Sequence, residues 1–230
     1  ASKQSEGDYF VCNAEDEKIQ TLLCGNEPKS EIIKFGKGDY KYAEPEYLKG
    51  EHNKANAMAA LRVAEILGLN KEKAVQSIVD FHPLAHRLQC IGTIHGVTYY
   101  NDSISTIPEA TIAALRALKK VDTLILGGKD RGIDYSVFAK ELPEFAVRNI
   151  AFTGAAGRRI ASLLSVAGLK YNSIISDDYK NIVSWCADKT EKGMICLLSP
   201  AASSYDMFLN FEHRGKVFTD LVNGLNERGK

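Results

Sequence analysis

The 230-residue chain reads as an α/β protein built on a mainly parallel sheet. Three observations predict this. From Thr123 to Leu225, short apolar runs alternate with helix-like segments, an order that lays strands side by side and covers both faces with helices. The apolar runs ending at Leu126 and Leu198 are followed by Gly127-Gly128 and Ser199-Pro200, which stop a strand and turn the chain. Finally, 45% hydrophobic and 25% charged residues suit a soluble globular protein with a substantial core.

The opening gives a strand at Tyr9–Cys12, a polar helix-like or loop segment around Glu15–Thr21, and a strand at Glu31–Phe35 before Gly36-Lys37-Gly38-Asp39 and a tyrosine-rich stretch without periodicity. A clear helix is expected over about Asn53–Leu67. Ala57, Ala60, Leu61, Ala64 and Leu67 share one of its faces, and Gly68 stops it. A short helix over Lys71–Val79 follows, and Pro83–Arg87 reads as a hinge because proline blocks continued helix. Leu88–Ile94 and Val97–Asn101 form a hairpin through His95-Gly96. Thr106-Ile107-Pro108-Glu109 has the form of a capping box, with Thr106 as N-cap, opening a helix to about Lys120. Strands are then expected at 123–126, 148–152, 171–175 and 194–198, and helices at 138–142, 156–164, 179–189 and 215–225. Asp102, Gly127-Gly128 and Ser199-Pro200 all fall at carboxyl ends of strands, where such sheets gather ligands.

Composition excludes several roles. Lys plus Arg (29) balances Asp plus Glu (29), without a run of like charge, so nucleic acid and polybasic membrane binding are not expected. No apolar run approaches the ~20 residues that span a bilayer, and Ala1–Asp8 has no signal-peptide core, which makes a cytoplasmic protein the expectation. The five cysteines, far apart and without a Cys-x-x-Cys pair, read as reduced core residues. The five histidines lack metal-ligand spacing and no tight acidic cluster suggests a magnesium cage, so no metal site is expected.

Several residues could carry chemistry. Asn53 and Asn56 lie three apart on one helix side and can address one ligand, or serve as a cap and a surface asparagine. Arg87, beside the hinge, is either a solvated linker charge or a fork for phosphate. Asp102 is a turn carboxylate or a ligand contact. Gly127-Gly128-Lys129-Asp130-Arg131-Gly132 is alone a weak signal, since glycines commonly end strands. Ser199, Ser203 and Ser204 lack the nucleophile elbow of a serine hydrolase.

Taken in order, His52-Asn53-x-x-Asn56, His86-Arg87, Asn101-Asp102-Ser103, the glycine turn and Leu198-Ser199-Pro200-Ala201-x-Ser203-Ser204 resemble the downstream half of a Mur ligase. Within that family the pattern is similar to the enzymes that add glutamate to UDP-N-acetylmuramoyl-L-alanine. The resemblance implies a partial P-loop-type central domain over 1–87 and a Rossmann-like, glutamate-binding C-terminal domain over 88–230. No Gly-x-x-Gly-Lys-Thr/Ser phosphate loop occurs in the chain.

By the same resemblance, Asn53 and Asn56 contact the adenine side of ATP, Arg87 holds the nucleotide on domain closure, and Asp102 makes a ribose or phosphate-side contact. Arg87 and Asp102 are therefore the implied catalytic residues. Thr106, Arg131, Ser204, Tyr205 and Phe211 are implied around the substrate glutamate, with Arg131 where lysine is usual and Ile104 where many relatives of this pattern have lysine. Arg214 is read as structural. The implied reaction is ATP-dependent amide formation through an acyl phosphate, assisted by Mg²⁺ held mainly by residues outside this chain. Its substrates would be UDP-N-acetylmuramoyl-L-alanine and D-glutamate, in peptidoglycan synthesis, by a monomer; the fragment alone is expected to be inactive. Another Mur or folate-type ligase, or a non-catalytic Rossmann-like binding domain, is the alternative.

Overall fold

The computed structural model describes residues 3–43, 50–82 and 84–226, which leaves Pro83 of the expected hinge outside the described residues. Contacts divide the chain into two compact units, residues 1–82 and 83–230. His86 and Arg87 go with the second, a few residues ahead of the expected start at 88. Ile104 N donates to His86 O (3.2 Å) and His86 N to Gln89 Oε1 (3.0 Å), which fastens the segment there.

In the first unit, β1 (Tyr9–Asn13) and β2 (Glu31–Phe35) pair in parallel, Tyr9 opposite Glu31 and Asn13 opposite Phe35. A parallel pair needs a crossover, and α1 (Glu17–Leu23) supplies it, capped by Asp16, which accepts from Lys18 N and Ile19 N. The long helix α2 (Glu51–Ile66) starts two residues ahead of expectation and buries Asn53, Ala57, Met58 and Leu61. It ends before Gly68 as the sequence predicts. The helix α3 (Lys71–Val79) is capped by Asn70, whose Oδ1 accepts from Lys73 N at 2.9 Å.

The second unit holds a six-stranded sheet in the order β3-β4-β8-β5-β6-β7, parallel except for the β3/β4 hairpin. Its strands are β3 (Gln89–Ile94), β4 (Val97–Asn101), β5 (Val121–Gly127), β6 (Asn149–Thr153), β7 (Asn172–Ile175) and β8 (Ile195–Leu198). The hairpin turns at His95 (φ 51°) and Gly96 (φ 87°), both left-handed, as a two-residue turn matched to strand twist requires.

Helices α4 (Pro108–Leu118), α5 (Ser136–Glu141) and α6 (Gly154–Val166) each link a strand to one further along in the same direction. Right-handed crossovers then place all three on one face. One core cluster indeed joins Ile112, Leu115, Phe138 and Ile160 to Leu124, Leu126, Ile150, Phe152 and Leu197. The connection through α7 (Tyr179–Lys189) runs back across the sheet, so α7 and the final α8 (Phe211–Asn223) cover the other face. There Ile182, Val183 and Phe218 pack on Tyr99, Ile125, Ala151, Cys196 and Leu198, the alternate positions of the same strands.

Two local expectations are corrected. Thr106 is not the N-cap of α4: the cap is Ile107, without a side-chain hydrogen bond, and the capping box is not formed. The residue before a proline is pushed to extended backbone. Ile107 at φ −134°, ψ 152° therefore takes the boundary, and Pro108 opens the helix without an amide to be capped. Two cysteines also depart from the core reading: Cys12, Cys186 and Cys196 are buried, but Cys24 and Cys90 are exposed, at a helix end and on the edge strand β3. No helix among the described residues is long and apolar enough to cross a membrane.

Candidate functional site

The parallel neighbours β4, β8 and β5 end together, at Asn101, Leu198 and Gly127, so their following loops share one rim of the second unit. Asp102 sits at its centre and is 2% exposed. Its carboxylate accepts from Ser105 Oγ (2.6 Å), Ser199 Oγ (2.7 Å) and Leu88 N (3.1 Å), which joins the β4 loop, the β8 loop and the start of the hairpin. The Thr111 hydroxyl extends this network by donating to Ser199 O at 3.1 Å. Burial is the largest influence on Asp102 and holds its pKa above the ordinary 3.8, against the opposing pull of these donors and of the nearby Arg87 charge.

A carboxyl whose folded pKa is raised binds protons more tightly folded than unfolded. It therefore lowers stability as pH rises from its unfolded value through its folded one. We expect the stability of the unaltered chain, relative to Asp102→Asn, to fall as pH rises from about 3.8 through the folded pKa of Asp102. Urea titrations across that window check it, and a pH-independent difference between the two proteins would refute it.

Arg214 lies beneath the same rim with 0% exposure. Its guanidinium donates to Ser103 Oγ (2.9 Å), Ser103 O (2.8 Å) and Ala202 O (3.1 Å), with Gly127 O at 3.5 Å. One side chain from α8 thus binds the ends of all three strands. Burial pushes its pKa down, with Tyr179 and Asp206 opposing, but arginine stays charged at any ordinary pH.

The glycine turn completes the rim. Gly127 and Gly128 have φ of 115° and 140°, and a Cβ on Gly128 would stand 2.2 Å from Ser203 O. That approach lets Lys129 N donate to Ser203 O at 2.8 Å in a single antiparallel bridge. Two residues on, Arg131 Nη2 donates to Thr106 O at 3.2 Å. The structure therefore brings Thr106 and Arg131 together and sets the turn against the residue next to Ser204. Ser204 is buried and its carbonyl accepts from Met207 N and Phe208 N, which folds the loop that presents Tyr205, 66% exposed.

Phe211 lies with a different group. Its carbonyl accepts from Ser103 Oγ (2.8 Å) and its ring meets His86 edge-on, centroids 6.4 Å apart. Asn101 Nδ2 donates to His86 Nδ1 (3.0 Å) and Gly215 O (2.9 Å), fixing His86 against α8. His86 and Leu88 both have left-handed backbone, at φ 65° and 44°. Arg87 is held between them with an exposed side chain that makes no hydrogen bond among the described residues. Asn53 and Asn56 belong to the first unit, with Asn56 Nδ2 donating to Asn53 Oδ1 at 3.3 Å; Asn53 is buried and Asn56 exposed.

Sequence reasoning did not find Ser105, Ser199 and Leu88 as the partners of Asp102, nor Thr111 as the partner of Ser199. Ser199 is 97 positions away, and no local pattern announces that meeting. Among the described residues no group of three or more His, Cys, Asp or Glu could hold a metal ion.

Comparison with known proteins agrees with this architecture. Residues 86–202, just over half of the chain, match the family described as Mur ligase, glutamate ligase domain. UDP-N-acetylmuramoylalanine-D-glutamate ligase of Koribacter versatilis is 38% identical over 99% of this chain and 54% of its own length. The protein of the same name from Lachnospira eligens is 31% identical over 98% and 54%. The chain thus spans about half the length of these curated relatives. Among solved structures, MurF ligase from Thermotoga maritima in complex with ADP superposes with a TM-score of 0.69 at 17% identity, over 99% of this chain and 55% of that one, a likeness of fold. A rim built on β4, β5 and β8, a match running from His86 through the β8 loop, and relatives aligned along nearly the whole sequence lead to one conclusion: the chain belongs to the Mur ligase family.

Proposed function

We propose that this chain supplies the amino-acid-binding part of an ATP-dependent ligase that joins D-glutamate to UDP-N-acetylmuramoyl-L-alanine through an acyl phosphate, in the cytoplasm. The observation that carries the reading is the meeting of Thr106 and Arg131 at the rim, with the Ser204 loop bridged to the same turn. An amino-acid carboxylate needs a fixed cation and neutral donors around it, and arginine offers a planar fork for that purpose. Activation as an acyl phosphate supplies the leaving group that a carboxylate lacks. The residues of this chain then hold the amine in line with the carbonyl it attacks, so that their contribution is orientation.

Arg87, exposed and without a side-chain hydrogen bond among the described residues, is available to a phosphate on the nucleotide. Asp102 is buried and accepts from three internal donors, so we assign it the positioning of the β4 and β8 loops and of Leu88 beside Arg87. Asn53 and Asn56 are assigned to the adenine side of ATP. The described residues do not fit a self-contained magnesium site.

The test is ADP release by the full-length protein, with the alanyl precursor and either D- or L-glutamate. Turnover with D-glutamate alone is the expected result, and this chain by itself is expected to show none because it lacks the phosphate loop. Turnover only with another amino acid would replace the glutamate assignment by that of another Mur or folate-type ligase.

A further inference from the structure

Two polar groups at the rim have no use in the reading above. Lys129 is exposed and enters no ion pair among the described residues, whereas its neighbour Asp130 is paired with Arg159 at 2.8 Å and nearby Arg158 with Asp177 at 2.8 Å. Ser203 is 3% exposed, and its Oγ is buried without a hydrogen-bond partner. A buried hydroxyl in that condition costs free energy until something bonds it.

The two residues face each other across the antiparallel bridge. Opposed residues of such a bridge send their side chains to the same side, so the unpaired ammonium rises from the face that holds the unsatisfied hydroxyl. Along the chain, Lys129 comes two residues before Arg131 and Ser203 immediately before Ser204. Cation and donor thus lie beside residues assigned to the amino acid, and Lys129 enters no ion pair among the described residues.

We propose that Lys129, with the Ser203 hydroxyl beside it, is a further carboxylate-binding pair of the amino-acid site and sets its preference for a dicarboxylic over a neutral amino acid. This rests on the reading given under Proposed function. Arg131 takes one carboxylate and Lys129 the other, and the ligand carboxylate supplies the partner that Ser203 Oγ lacks.

The experiment compares glutamate with its neutral analogue glutamine in the ADP-release assay on the full-length protein. In Lys129→Met the KM for glutamate is expected to rise about tenfold, the size of a lost charge-assisted contact, with kcat and the KM for ATP unchanged. The preference for glutamate over glutamine should shrink by the same factor, and Lys129→Arg should restore most of it. Ser203→Ala should raise the same KM by a smaller factor. Lys129 is exposed, so its variants are not expected to disturb folding. An unchanged KM and an unchanged preference in Lys129→Met would overturn the proposal while leaving the ligase reading intact. Absence of ADP release from the unaltered protein with both glutamate isomers would remove the ligase reading and the role of Lys129 with it.

Discussion

Arg214→Met is expected to destabilise the second unit by about 3–4 kcal/mol, because buried carbonyls lose a charged donor. Two effects oppose each other here. Methionine removes a cation that is costly to bury, and by itself that relief would stabilise the fold. It also leaves Ser103 O and Ala202 O without the guanidinium and frees three strand ends that it holds in common. Hydrogen bonds to a charged group contribute roughly 1.5–3 kcal/mol each, so the loss of several outweighs the relief. Arg214→Lys, which keeps the charge but cannot reach Ser103 and Ala202 at once, should recover less than half of the loss. Urea denaturation gives both numbers. A methionine variant within about 1 kcal/mol of the parent would mean that the guanidinium costs as much to bury as its bonds return.

The second large effect is expected at the glycine turn. A Cβ on Gly127 would lie 1.9 Å from Thr153 O and 2.7 Å from Gly157 Cα, and φ is 115°. Those neighbours are backbone of β6 and α6 and have no rotamer to change. Gly127→Ala should therefore cost more than about 3 kcal/mol, in the range where backbone strain and overpacking add. Gly128→Ala, against Ser203 O at 2.2 Å, should additionally open the Lys129 bridge. Gly132 is the control within the same turn: its φ is 74° but nothing lies within 4 Å of its Cβ position. Alanine there should cost only about 1 kcal/mol, the conformational part alone. Equal losses at 127 and 132 in thermal or urea denaturation would show that close approach contributes nothing.

The strand and helix order of the second unit was legible because its signals are local. Apolar runs of strand length, separated by amphipathic segments, specify β5 through β8 and the helices between them. The hairpin turn was equally clear, since His95-Gly96 is short and flanked by alternating residues. Boundaries were less so: α8 begins at Phe211, four residues before the expected start, because Asn210 caps it by accepting from His213 N at 2.7 Å. The capping box at Thr106 misled because its residues fit a local pattern that the following proline overrides. Of the site, Thr106 and Arg131 could be named from motif resemblance, but their meeting could not, since 25 positions separate them. The bonding of Asp102 by Ser105, Ser199 and Leu88 is likewise a product of the fold, invisible until β4 and β8 lie side by side.

The position of β8 in the sheet has a consequence for how the molecule comes into being. It is the last strand among the described residues, yet it lies between β4 and β5. Until residues 195–198 join, the β3/β4 hairpin and the β5-β6-β7 block have no strand pairing with each other. Parallel pairing over such sequence distances is slow to form. During synthesis the two blocks would emerge with unpaired edges, and only the closing strand would bring Asp102 to Ser199 and the glycine turn to Ser203. A chain released before Ile195 should retain helices but expose two apolar sheet edges, the kind of intermediate that aggregates or engages chaperones.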